Sequence, residues 1–191
     1  MDMIRSWWEP GAALLVVGTA RSGTKFAAKR WRLGHERLSP QGCCSWLMGA
    51  WMQRGFALDL RMHGEIPTGW SPRGVIHLVR DPLHTIASCT TLALPWRLWA
   101  STYISLDVGT PDPEWAIEYW IRWQQMIRAT RWPCDRTDAA IVRVEHVYRG
   151  DLPPTINSRP HATLTWGRVV DAVGRRRATE VRAMAKELGY E

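Results

Sequence analysis

The sequence lacks any apolar run close to the roughly 20 residues that a membrane-spanning helix needs. Its longest candidates are residues 12–17, which suffice only for a strand, and residues 92–100, which Pro95 and Arg97 interrupt. The opening segment MDMIRSWWEPG also lacks the charged and then apolar layout of a signal peptide. We therefore expect a soluble, cytoplasmic protein without a membrane span.

The cysteines lack the spacing patterns of a zinc site or of a disulfide-stabilised small fold. Cys43, Cys44, Cys89 and Cys134 form no CxxC pair and have no histidine at the spacing of a zinc site. Four reduced thiols are the expected state of such cysteines inside a cell. No carboxylate cluster indicates a metal either, and we expect none.

Lysine is scarce, because only Lys25, Lys29 and Lys186 occur among the 25 basic residues. The net charge of +7 is therefore mostly arginine, whose forked guanidinium suits phosphate or sulfate. This composition favours an anionic ligand, although a solvated basic surface would have the same composition. The run Arg175-Arg176-Arg177 has no interleaved aromatic residues, so a nucleic-acid partner is not expected.

What is present is typical of one globular domain over residues 1–191, with 46% apolar and 23% charged residues. Short apolar runs predict strands, and longer amphipathic segments predict helices. The strands are expected at 12–17, 56–62, 75–79 and 140–144. The helices are expected at 23–33, 39–54, 81–92, 114–131, 166–173 and 179–188.

This alternation predicts an α/β fold with a central, mainly parallel sheet flanked by helices. Ligands of such sheets bind at the carboxyl ends of the strands. The loops after Val17, Met62, Val79 and Val144 are therefore the places to look for a site.

The loop after the first strand reads Gly18-Thr19-Ala20-Arg21-Ser22-Gly23-Thr24-Lys25. Backbone N–H groups of such a turn face inward, and the following helix adds positive potential at its N-terminus. Side-chain donors come from Arg21, Ser22, Thr24 and Lys25. We predict a phosphate-binding loop, with a plain glycine-rich turn as the alternative. It is not a Walker A loop, since GxxxxGKS or GxxxxGKT is absent.

A second strand-to-turn segment reads Val75-Ile76-His77-Leu78-Val79-Arg80-Asp81-Pro82. Arg80 stands at the carboxyl end of that strand. Ser88 follows eight residues later, about two helical turns on, and can face the same side. The pair could hold a second phosphate at a distance from the first.

These residues carry a family resemblance. The segment GTARSGT resembles the 5′-phosphosulfate loop of sulfotransferases, and HLVRDPLHTIASC resembles their 3′-phosphate motif, in the family's order. The strand IVRVE and the tail TLTW…AKELGY resemble other parts of short bacterial and viral members. The resemblance spans nearly the whole chain. It implies a P-loop NTPase-like sulfotransferase fold that uses 3′-phosphoadenosine 5′-phosphosulfate (PAPS).

The resemblance also implies residue roles. Thr19, Ala20, Arg21, Ser22, Gly23 and Thr24 would bind the 5′-phosphosulfate, Arg80 and Ser88 would bind the 3′-phosphate, and Arg159 would close over it. Lys25 replaces the second threonine of many members, and it supplies charge at the bridging oxygen or points to solvent. The sulfuryl group would move to a hydroxyl or amine of a small molecule, lipid or glycan, which leaves 3′-phosphoadenosine 5′-phosphate (PAP).

The identity of the general base stays open among three residues. Glu36 follows the helix of the phosphate loop, as in some branches of the family, although at a shorter spacing. His63 ends the strand expected at 56–62, and cytosolic sulfotransferases carry a base histidine at a comparable place. His35 is the third candidate. A salt bridge from Glu36 to Arg32 or Arg37 is the structural alternative.

Other classes of function also remain open. A small P-loop kinase would need a Walker lysine that is absent, and a basic nucleic-acid-binding module would not explain two anion loops. A degenerate member could bind the nucleotide without transfer. The acceptor cannot be read from the sequence. Five tryptophans either flank it or pack the core: Trp46, Trp51, Trp70, Trp96 and Trp99.

Overall fold

A parallel β-sheet forms the centre of the fold. The computed structural model describes residues 13–36, 39, 41–46, 72–130, 140–147 and 161–191. Five strands pair within these residues: β1 (Leu14–Gly18), β2 (Gly34–His35), β3 (Gly42–Ser45), β4 (Gly74–Val79) and β5 (Ala140–Arg143). Their order is β2-β3-β1-β4-β5, and every pair is parallel. The α/β class expected from the sequence is confirmed.

Helices follow the strands on both faces of the sheet. In the described part of the chain they are α1 (Thr24–Trp31), α2 (Pro82–Cys89), α3 (Leu94–Ile104), α4 (Glu114–Ala129), α5 (Val144–Val147) and α6 (Trp166–Glu187). The Asp81 carboxylate caps α2 by accepting the N–H of His84, and the Thr165 hydroxyl caps α6. Gly174 kinks α6, with φ 76° and ψ 162°. No described helix is long and apolar enough to span a bilayer.

The sheet separates two hydrophobic clusters. Alternate residues of β1 point to opposite faces, with Val16 on the side of α1 and α5, and Val17 on the side of α2, α4 and α6. The helices after β1 and β4 therefore lie on opposite faces. Strands β2 and β3 lie on one side of β1, and β4 and β5 lie on the other. The direction in which strands are added to the sheet therefore reverses at β1. The carboxyl ends of β1 and β4 form a switch point, where ligands of open α/β sheets bind.

Aromatic residues dominate the cluster under the switch point. Trp115, Tyr119, Trp120 and Trp123 of α4 are all fully buried. Trp115 and Tyr119 stack with ring centroids 5.1 Å apart and an interplanar angle of 4°. Such rings combine a large buried area with polar N–H and O–H groups that seek partners. This helix therefore supplies both a rigid core and hydrogen bonds to the loop above it.

The helix expected at 39–54 is wrong in its described part. Gly42–Ser45 is instead a buried strand that pairs with β1, with Leu14 opposite Gly42. A Cβ at Gly42 would lie 1.9 Å from the Leu14 carbonyl oxygen, so only glycine allows this approach. Strand pairing has overridden the local helical pattern. Residues 47–54 and the strand expected at 56–62 lie outside the described residues.

Other boundaries shift by a few residues. The helix expected at 23–33 ends at Trp31, because Arg32 adopts the left-handed conformation with φ 57°. The strand expected at 140–144 ends at Arg143, and Val144 begins α5. The two helices expected after residue 165 form one kinked helix. Helix α3 was not predicted from the sequence; Pro95 stands in its first turn, where proline is accepted.

Candidate functional site

The loop between β1 and α1 stands at the switch point. A Cβ at Gly18 would lie 2.7 Å from the backbone oxygen of Leu78 in β4, so the loop starts in close contact with that strand. Arg21 and Gly23 adopt positive φ values of 67° and 91°. The N–H and the hydroxyl of Ser22 both donate to the Thr19 carbonyl, at 3.2 and 2.8 Å. These features fold the loop into a tight concave turn.

Three side chains from α2 and α4 hold the loop from beneath. The Tyr119 hydroxyl accepts the Ala20 N–H at 2.8 Å. The indole N–H of Trp123 donates to the Gly18 carbonyl at 3.2 Å, and the Cys89 thiol donates to the Ala20 carbonyl at 3.4 Å. The loop is therefore positioned before any ligand arrives, which lowers the entropic cost of binding.

The loop has the donors that an anion requires. The first N–H groups of α1 have no acceptor within the helix, and its N-cap Gly23 supplies no side-chain oxygen. The first turn contains no acidic residue and includes the exposed Lys25. The buried Thr19 hydroxyl has no partner in the described part of the chain. The helix dipole and these groups together favour an oligo-anionic ligand.

A carboxylate lies next to this loop. His35 ends β2, and Glu36 follows it in the left-handed region with φ 53°. The Ser45 hydroxyl donates to Glu36 Oε2, and the Trp46 N–H donates to Glu36 Oε1 at 3.3 Å. Both donors come from the carboxyl end of β3. They orient the carboxylate at the same edge of the sheet as the loop between β1 and α1.

His35 connects the carboxylate to the loop. Its Nε2 lies 3.5 Å from Glu36 Oε1 and 3.4 Å from the Thr24 hydroxyl. Burial, with a smaller contribution from the Lys25 charge, lowers the pKa of His35 to about 4. The imidazole is therefore neutral at pH 7. The imidazole therefore places no positive charge beside the Glu36 carboxylate.

The second motif occupies the next loop along the sheet. Arg80 follows β4 directly, and Ser88 is buried in the last turn of α2. Burial lowers the pKa of His84, and the nearby positive charge of Arg80 lowers it further. The His84 and His161 rings meet at 4.8 Å. The approach of Arg80 and Ser88 to one ligand stays a prediction.

The Glu145 carboxylate accepts two hydrogen bonds from distant parts of the chain. One of its oxygens accepts the Asp81 N–H at 3.2 Å, and the other accepts the Tyr190 hydroxyl at 2.7 Å. It thus ties the loop after β4 to the C-terminal end of the chain.

Several residues named in the sequence analysis lie outside the described residues. His63, Arg159, Trp51, Trp70 and Cys134 fall in the undescribed segments. Cys43, Cys44 and Cys89 are buried and form no disulfide within the described residues.

His77 and Arg177 have structural positions in the fold. His77 is a core residue of β4, and its burial lowers its pKa to about 4. Arg177 bonds to Glu118 and Glu180, and Arg182 stacks on the Trp166 ring at 4.9 Å.

The supporting residues of the site were not found from the sequence. Tyr119 is separated from Ala20 by 99 positions, and its helical spacing marks it only as a buried residue. Ser45 lies in the strand that the sequence indicated as a helix. No local signal joins Tyr119 to Ala20 or Ser45 to Glu36, because these contacts exist only after the sheet and α4 have packed.

No family model, curated protein or solved structure matches this chain. The functional conclusion therefore depends on the site geometry and on the two sequence motifs.

Proposed function

We propose that the protein is a sulfotransferase that uses PAPS, with the P-loop NTPase-like arrangement of that family. One observation carries the proposal: a carboxylate oriented by two hydrogen bonds stands beside a preformed anion loop, and His35 lies between Glu36 and Thr24. A loop that only binds nucleotide needs no such carboxylate, since its charge repels an anion. A transferase needs one to accept the proton of the acceptor.

PAPS carries two separate anionic groups, and the fold offers two loops for them. Residues 19–25 would take the 5′-phosphosulfate through backbone N–H groups and the Thr19, Arg21 and Lys25 side chains. Arg80 and Ser88 would take the 3′-phosphate one strand away. Both loops stand at the carboxyl edge of neighbouring strands β1 and β4, which supports their use by one extended ligand.

The transfer step follows from this placement. The acceptor oxygen forms a bond to sulfur as the bond from sulfur to the bridging phosphate oxygen breaks. The electron pair of the broken bond stays on that phosphate oxygen, which leaves PAP. Arg21 and Lys25 would stabilise the charge that builds there. Glu36 takes the proton of the acceptor hydroxyl, so the oxygen attacks without accumulating positive charge.

Calorimetric titration with PAP, AMP and Mg-ATP tests the proposal. PAP should bind roughly 10- to 100-fold more tightly than AMP, since charge-assisted hydrogen bonds to the 3′-phosphate contribute this much. Arg80→Ala should remove that preference. Arg175→Ala is the matched control, because Arg175 is an exposed arginine of α6.

Equal binding of PAP and AMP, or tighter binding of Mg-ATP with its hydrolysis or transfer, would contradict the proposal. The second result would favour a kinase. Steeply salt-dependent binding of DNA or RNA with no PAP binding would favour a nucleic-acid-binding protein.

A further inference from the structure

Helix α6 folds back on itself at Gly174. The Arg182 guanidinium carbon lies 4.9 Å from the centre of the Trp166 ring. In a straight helix, residues 166 and 182 would be separated by about 24 Å along the axis, since each residue rises about 1.5 Å. The two halves of α6 therefore lie side by side, with Gly174 at the turn between them.

The turn depends on the backbone of Gly174. Its φ of 76° and ψ of 162° lie in a region that is essentially restricted to glycine. No described atom lies within 4 Å of a Cβ built at this position. The glycine is therefore required by the conformation of the turn and not by a lack of space.

Because α6 folds back, its two flanks both reach the loop after β4. Before the helix, the His161 ring meets the His84 ring at 4.8 Å. After the helix, the Tyr190 hydroxyl donates to Glu145 Oε2 at 2.7 Å, and Glu145 Oε1 accepts the Asp81 N–H at 3.2 Å. The loop is therefore held from both sides by one segment of the chain.

The flank that carries Tyr190 is itself fixed. The Arg143 guanidinium donates to the Gly189 carbonyl at 2.9 Å and lies over the Tyr190 ring at 5.5 Å. The Tyr190 N–H donates to the Ala185 carbonyl at 2.9 Å. These contacts hold the tyrosine hydroxyl in place where it meets Glu145.

Asp81 is the residue through which this segment acts on the loop. Its carboxylate accepts the His84 N–H at 2.7 Å, and its carbonyl accepts the Thr85 N–H at 2.9 Å. The Asp81 N–H belongs to the planar peptide group that joins Asp81 to Arg80. The hydrogen bond to Glu145 therefore fixes the backbone of Arg80 directly. A fixed backbone limits the positions that the guanidinium can reach, and phosphate recognition by arginine depends on its orientation.

We propose that residues 161–190, which we call the α6 bracket, position Arg80 for the anion that binds at the loop after β4. Tyr190 and Glu145 are positioning residues that act through the backbone, and Gly174 permits the turn that brings Tyr190 to the loop. The anion is the 3′-phosphate of PAPS, so this inference rests on the proposed sulfotransferase function. The bracket lowers the entropic cost of ordering Arg80 when the ligand binds.

Calorimetric titration with PAP and AMP tests the bracket, because only PAP carries the 3′-phosphate. Gly174→Ala should weaken PAP binding roughly three- to tenfold, since a displaced guanidinium loses part of its charge-assisted hydrogen bonds. AMP binding should stay unchanged. Gly167→Ala is the matched control in the same helix, because a Cβ there would meet only the Thr165 hydroxyl oxygen, at an ordinary 3.8 Å. It should leave both affinities unchanged.

A second pair of variants leaves α6 intact and decides the question even if Gly174→Ala does not fold. Glu145→Ala removes the acceptor of the Asp81 N–H and should weaken PAP binding by a similar factor. Glu145→Gln keeps an oxygen for that N–H and should restore PAP binding. Tyr190→Phe retains the ring under Arg143 and should lie between the two. The ratio of PAP affinity to AMP affinity separates positioning from stability, since a loss of fold would lower both affinities together.

The outcomes separate the two proposals. An unchanged ratio of PAP to AMP affinity in Gly174→Ala and Glu145→Ala would overturn the positioning role and leave the sulfotransferase function in place. The same conclusion would follow if PAP binding were lost equally in Glu145→Ala and Glu145→Gln, because the hydrogen bond would then not be the cause. No preference for PAP over AMP in the wild-type protein would overturn the sulfotransferase function, and the role of the bracket would fail with it.

Discussion

Replacement of Tyr119 by phenylalanine isolates the hydrogen bond that holds the loop between β1 and α1. The Tyr119 hydroxyl accepts the Ala20 N–H at 2.8 Å, and both residues are almost completely buried. Tyr119→Phe keeps the ring, which stacks on Trp115 at 5.1 Å. The substitution removes one oxygen and leaves the Ala20 N–H without that acceptor.

The size of the effect follows from burial. A buried donor that loses its acceptor costs about 1–3 kcal/mol, more than the net value of an ordinary hydrogen bond. We expect the free energy of unfolding to fall by about 2 kcal/mol. For a chain of 191 residues this corresponds to a decrease in Tm of roughly 4–8 °C. Core packing should change little, because the aromatic ring is retained.

Urea denaturation followed by tryptophan fluorescence measures this change. The midpoint should fall while the slope m stays constant, since the area exposed on unfolding is the same. PAP affinity should fall in parallel, because the loop loses one of its supports. A decrease in unfolding free energy below about 0.5 kcal/mol at constant m would refute the assignment of Tyr119 as the buried partner of Ala20.

Three further changes test other parts of the structure. Gly18→Ala should lower the free energy of unfolding by about 1–3 kcal/mol in urea denaturation, because the new Cβ meets the fixed Leu78 carbonyl. Glu36→Gln should reduce turnover roughly 10²- to 10⁴-fold and spare PAP binding in calorimetry; unchanged turnover would exclude Glu36 as the base. Burial raises the pKa of Glu118, but hydrogen bonds from Arg177 and Arg122 outweigh burial and lower this pKa overall. The ionised Glu118 therefore stabilises the folded state, and this contribution should disappear as the pH falls below the ordinary pKa of 4.5. Arg177→Met should flatten that pH dependence of unfolding free energy, and an unaltered slope would contradict the pairing.

Parts of the fold were predictable because their signals are local. The apolar runs of β1 and β4 lie close to their expected bounds, since a strand buried on both faces needs consecutive apolar residues. Asp81-Pro82 and Thr165 start helices where expected, because capping needs only neighbouring residues. The strand β3 was missed, since Gly42-Cys43-Cys44-Ser45 contains no β-branched residue.

The candidate site was predictable in its residue types and not in its connections. The sequence indicates Glu36 and His35 as candidates because they closely follow the helix after the glycine-rich loop. Their contacts with Thr24, Ser45 and Trp46 required the pairing of β2 with β3, which no local pattern showed. The helix α3 was missed, so the exposure of Trp96 could not be inferred.

The sequence by itself determined the α/β class, the glycine-rich loop after the first strand and the arginine after β4. Each depends on residues that are neighbours in the chain, through backbone geometry, capping and short-range hydrophobic pattern. Only the tertiary structure decided that Tyr119 supports the loop, that Glu36 stands beside it and that the tryptophans of α4 are buried while Trp96 is exposed. These relations join distant segments, and they exist only because sheet pairing and helix packing bury the intervening apolar surface.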